Sequence, residues 1–100
     1  MKENKNQKLV KKEKEELKEY LIDYDMFSLE EIVHIVSFFH LIENIHKGKK
    51  YNKEEVKEKY KEYRNILNNK SLEKKYDKML FKMSNASIYD IMRDINNENW

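Results

Sequence analysis

Three short stretches of this 100-residue chain carry the same instruction for starting a helix, and they limit the fold more than any other feature. In Phe27-Ser28-Leu29-Glu30-Glu31-Ile32, Ser28 can accept the N–H three residues on and Glu31 can reach back to the Ser28 N–H. Phe27, just outside the cap, can staple onto Ile32. In Tyr51-Asn52-Lys53-Glu54-Glu55-Val56, Asn52 caps, Glu55 holds the third helical position and Tyr51 faces Val56. In Ala86-Ser87-Ile88-Tyr89-Asp90-Ile91, Ser87 caps, Asp90 replaces the usual glutamate, and the Ala86–Ile91 staple is weaker. Each arrangement satisfies backbone N–H groups that a first helical turn leaves bare.

From these starts the apolar spacing predicts four helices. The first covers about residues 29–46 and is ended by Gly48. The second, 53–67, carries Val56, Tyr60, Tyr63 and Leu67. The third, 71–83, carries Leu72, Tyr76, Met79, Leu80 and Met83; the last, 88–96, carries Ile88, Ile91, Met92 and Ile95. Residues 6–21 read as a further helix with a thin stripe of Leu9, Leu17, Tyr20 and Leu21, frayed or docked on a partner. The absence of Pro and the single Gly agree, and no alternating pattern persists for five residues, so no sheet is expected.

Helix 29–46 has one face of Ile32, Ile35, Val36, Phe39 and Ile42, which Val33, Phe38, Leu41 and Ile45 widen over most of its circumference. A helix apolar nearly all round is one on which others pack. The expectation is an all-α fold: a small single-domain bundle of four to five helices around this central helix. Residues 1–19 read as a lysine- and glutamate-rich extension, 20–96 as the bundle and 97–100 as a tail. The short 68–70 loop makes its flanking helices antiparallel neighbours.

Several functions are excluded at this level. Without Cys there is no disulfide, thiol chemistry or thiolate zinc site. The first sixteen residues, MKENKNQKLVKKEKEE, show no apolar region of a secretory signal. The apolar run Ile32–Ile45 is broken by Ser37, His40, Glu43 and Asn44 and falls short of the ~20 residues of a membrane span. A cytoplasmic protein with no membrane partner and no evident small-molecule substrate is expected.

The three histidines of segment 34–46 cannot meet one ion. His34, His40 and His46 are six residues apart, a rotation of roughly 240° per step, so they point about 120° from one another. Glu43 and His46 have the Glu-x-x-His spacing of di-iron bundles, but such sites need it twice with two more inward glutamates. Metal binding through Glu43 and His46 therefore stands as the weakest alternative, beside a polar seam of His40, Glu43 and His46 with local hydrogen bonds. Asp23 and Asp25 read as a solvated turn that favours the following helix N-terminus. No phosphate loop or nucleophile motif is present, so no catalytic residue and no cofactor is assigned.

Charge is segregated although the formal net charge is only +2. Residues 20–46 hold five acids and no Lys or Arg, whereas 47–82 hold twelve Lys and Arg64 against six acids, a net +7. Lys53, Lys57, Lys61 and Arg64, with Lys74 and Lys78, can form a basic surface for an acidic protein, a second copy or nucleic acid. The plainer reading is solvated helical lysines interleaved with glutamates. The candidate interaction surface combines Asp23, Tyr24, Asp25 and Phe27 with the basic 47–64 segment, and Lys74 and Lys78 extend it. A protein partner or self-association is favoured. The two arginines and the lack of a recognisable nucleic-acid module leave nucleic acid as the alternative.

Scattered positions also point to relatives: Asp23-Tyr24-Asp25, Ser28-Leu29-Glu30-Glu31-Ile32-Val33, Phe38-Phe39, Ile42-Glu43, Lys59 to Tyr63, Asn69 to Lys74 and Ser87-Ile88-Tyr89. Over about residues 20–95 the chain resembles the YktA-like family of small uncharacterised bacterial proteins. It departs from that pattern at Phe27 in place of Trp, at Asn68-Asn69 in place of Pro-Ser, at Asn85-Ala86 in place of Gly-Tyr, and at Asp90 in place of Arg. The resemblance implies a compact cytoplasmic all-α bundle and no assigned enzyme activity.

Overall fold

A computed structural model describes residues 20–97, and among these the chain is all-α, as expected from the sequence. A short 3-10 turn, Tyr24–Met26, leads into α1 (Leu29–His46), α2 (Lys53–Leu67), α3 (Lys70–Ser84) and α4 (Ile88–Asn97). The capping signals operate as read. Ser28 Oγ accepts the Glu31 N–H at 3.1 Å and Glu31 Oε1 accepts the Ser28 N–H at 2.9 Å, closing the box. Asn52 Oδ1 accepts the Glu55 N–H, and Ser87 Oγ accepts the Asp90 N–H. At the end of α1 the Lys49 N–H donates to the Asn44 carbonyl and the Gly48 N–H to the Ile45 carbonyl, a Schellman motif with Gly48 at φ +88°.

α1 packs along α2 and against α4, and α3 packs against α2 and α4. α1 and α3 meet where the Phe39 and Tyr76 rings stand edge-on at 6.0 Å. The core is aromatic at its centre: Phe38 stacks on Tyr63 at 4.6 Å, and Phe39 meets Tyr63 at 5.7 Å and Tyr20 at 5.1 Å. Each such pair adds about 0.5–1.5 kcal/mol to the burial of its rings. α1 buries Ile35, Val36, Phe38, Phe39 and Ile42, with Ile32, Leu41 and Ile45 half-buried around them.

Two expectations are corrected. α1 is not apolar against neighbours all round: Val33 is 55% exposed and Leu29 79%. α2 and α4 pack on other parts of the helix surface, so the side that carries Leu29 and Val33 faces solvent. Tyr20 and Leu21 are not helical. Tyr20 and Ile22 are both buried with exposed Leu21 between them, the period of extended backbone, because this segment lies across the bundle rather than along a neighbour. The rest of the predicted 6–21 helix lies outside the described residues, as do residues 98–100. No helix among the described residues is long and apolar enough to cross a membrane.

Candidate functional site

The segment before α1 works as a strap between α1 and α3. The Tyr20 hydroxyl donates to Glu43 Oε1 on α1 at 2.7 Å, and its ring rests on Phe39 and, at 5.6 Å, on His40. Asp23 fastens the other side. Its N–H donates to the Tyr76 hydroxyl on α3 at 3.0 Å, and that hydroxyl donates to Asp23 Oδ2 at 2.7 Å. Lys75 Nζ lies 3.2 Å from both Asp23 oxygens. The Tyr76 hydrogen bond, with the Lys75 hydrogen bond and charge, holds the Asp23 carboxyl below the usual carboxylate range. Burial, with the Asp23 carboxylate beside it, pushes the Tyr76 phenol up to about 12.

This pinning turns Leu21 outward, 71% exposed, at the edge of a groove of about 700 Å³ on α3. The groove is lined by the apolar Leu21, Met79, Phe81 and Met83 and by the charged Lys75, Asp77, Lys78 and Lys82. Phe81 is 53% exposed, off the buried stripe of Leu72, Tyr76, Met79 and Leu80. Large apolar side chains gathered at one concave place mark a contact surface more often than scattered ones do. A second exposed apolar feature is convex. Met26 in the 3-10 turn leads into Leu29 and Val33, four residues apart on one face of α1, and Asp25 and Glu30 stand beside them.

The predicted interaction residues are distributed as follows. Tyr24 and Asp25 are exposed and Phe27 is half-buried against the core, while Asp23 is engaged with α3. Lys53 and Lys57 are half-buried. Lys61 and Arg64 line a shallow cleft of about 390 Å³ with Lys70 at the α2–α3 corner. Arg64 spends its charge locally: its guanidinium lies over the Tyr60 ring at 5.6 Å and its Nε is 3.3 Å from Glu73 Oε1. Lys74 belongs to an adjoining cleft of about 200 Å³, and Lys78 to the apolar groove. Lys61, Arg64 and Lys74 thus gather at two adjoining clefts that share Arg64 and Lys70, and Lys78 lies on the apolar groove.

The histidines also separate. His34 Nδ1 is 3.6 Å from Glu62 Oε2, His40 stacks near Tyr20, and His46 is exposed in the last turn of α1. Glu43 is taken by Tyr20 from outside the helix rather than by His40 or His46. Among the described residues no three His, Asp or Glu side chains converge on a point where an ion could sit. Sequence reading passed over the groove itself. Its one usable signal was Phe81, an apolar residue off the helical stripe.

Comparison with known proteins gives relatives. The profile of UPF0223, described as an uncharacterised protein family, matches residues 18–100. A UPF0223 protein of Bacillus cytotoxicus is 38% identical over 71 residues, 71% of this chain and 78% of that protein. One of Bacillus mycoides is 37% identical over the same shares. No solved structure matches the chain. The resemblance to a family of small uncharacterised bacterial proteins is borne out.

Proposed function

The chain belongs to the UPF0223 family, and from its surface we propose that it is a non-enzymatic, cytoplasmic protein that acts by binding a helix of a protein partner in the α3 groove. The observation that carries this is the groove itself: four apolar side chains with Lys78 and Lys82 among them, while the other lining charges are engaged, Lys75 with Asp23 and Asp77 with the Ile88 N–H. Such a surface suits an amphipathic helix with an apolar stripe and flanking carboxylates. The apolar stripe supplies affinity, and the carboxylates fix orientation and speed encounter. Among the acids and histidines singled out by sequence, Asp23 is engaged with Tyr76 and Lys75, Glu43 with Tyr20, and His34 with Glu62.

The test uses two designed helical peptides with the same apolar stripe, one flanked by glutamates and the other by lysines. Side-chain NMR signals of Leu21, Met79, Phe81 and Met83 should shift with the acidic peptide, and far less with the basic one. Equal response to both peptides, or shifts elsewhere only, would refute the proposal.

A further inference from the structure

We infer that the helix this groove receives is the start of α1 from a second copy of the chain, an inference that rests on the groove reading above. The two exposed apolar features have opposite shapes and opposite charges. Met26, Leu29 and Val33 form a ridge, and Asp25 and Glu30 stand beside it. Leu21, Phe81 and Met83 line a hollow that also holds Lys78 and Lys82; its other charges are engaged within the copy, Asp77 with the Ile88 N–H and Lys75 with Asp23. Asp25, Glu30, Lys78 and Lys82 make no ion pair among the described residues, so each is available to an opposite charge from outside.

Within one copy these features sit on different elements, the entry to α1 and the outer side of α3. A twofold axis lets both work at once: the ridge of each copy enters the groove of the other, so two identical contacts form. That arrangement covers six exposed apolar side chains per copy, an apolar centre with a charged rim as association surfaces have. A head-to-tail contact would use one ridge and one groove and leave the others open to growth, whereas the twofold arrangement closes.

Sedimentation velocity of the full-length protein over a concentration series provides the test. The wild type should sediment as a dimer. Leu29→Glu and Phe81→Glu should each shift the equilibrium to monomer by about tenfold or more in dissociation constant, the effect of losing a central apolar anchor. Both positions are exposed, so both variants should keep the wild-type helical signal. Mixed together, the two variants should regain part of the dimer, because one copy keeps an intact groove and the other an intact ridge. As a variant pair that leaves the apolar residues alone, Glu30→Lys and Lys78→Glu should each weaken the dimer and in combination restore it. A wild-type monomer throughout the series overturns the inference, and so does a dimer untouched by these changes. If the acidic peptide still binds the groove of a monomeric protein, the groove reading survives while the second copy is lost as its occupant.

Discussion

Tyr63 and Tyr76 lie in the same aromatic core, yet removing the hydroxyl from each should move stability in opposite directions. Tyr63 is 2% exposed, stacked on Phe38, and its hydroxyl has no hydrogen-bond partner among the described residues. Burial drives its phenol well above the ordinary value, with Glu73 and Asp77 adding to the shift. A buried hydroxyl without a partner costs about 1–3 kcal/mol in proteins. Tyr63→Phe removes that cost and leaves only a gap the size of one oxygen, so a net gain of ~1 kcal/mol is expected. Tyr76 is equally buried, but its hydroxyl both donates to the Asp23 carboxylate and accepts the Asp23 N–H. Tyr76→Phe loses a charge-assisted bond and strands a backbone donor, a loss of about 2–3 kcal/mol. Urea unfolding followed by circular dichroism would give both values, with the denaturant slope expected to stay constant. In thermal unfolding each kcal/mol corresponds to roughly 4–8 °C for a domain of this size. If Tyr63→Phe destabilises by ~1 kcal/mol or more, the hydroxyl has a partner and the reasoning fails.

Two pH dependences follow from the same residues. Asp23 has a lowered pKa in the folded state, so its contribution is present above the unfolded carboxylate value and lost as pH falls through the folded one. The stability gap between wild type and Asp23→Asn, measured by urea unfolding, should therefore be full at neutral pH and narrow below about pH 4; a gap constant across the acid range would contradict it. Tyr76 has a folded pKa raised to about 12 against about 10 unfolded, so its contribution is full below pH 10 and lost as pH rises through 12. Tyr63 shifts the same way. With the helices intact, Tyr63 and Tyr76 should yield phenolate absorbance only well above pH 10; their ionisation near pH 10 with helical signal retained would rule this out.

The helices were legible in the sequence because what starts and ends them is local. Ser28 with Glu31, Asn52, Ser87 and Gly48 act within a few residues of themselves, and α1 and α2 begin and end where the spacing placed them. Asn68 and Asn85 were harder. Both take the left-handed conformation at helix ends, at φ 46° and 60°, while neighbouring Asn69 caps the start of α3. Asparagine suits either task, and only the packed geometry decides between them. The strap was not legible, since Tyr20, Leu21 and Asp23 take their positions from Glu43, Met79 and Tyr76, 23 to 58 residues away. Neither, therefore, was the groove, one wall of which is Leu21.

The strap links stability to surface. Asp23 and Tyr20 tie α1 to α3 on either side of Leu21, so the bonds that close the core there also hold Leu21 at the groove edge. The same short segment continues through the 3-10 turn to Met26 and the Ser28 cap, which sets Leu29 and Val33 on the outer side of α1. The ridge and one edge of the groove, Leu21, thus belong to one connected run of residues, 20–33. Rigid placement of both before contact lowers the entropy that association must overcome, which favours binding through surfaces of this modest size. The basic residues of α2 have no such link: Arg64 is held by Glu73 and Tyr60 at the far corner, so its charge serves the α2–α3 junction.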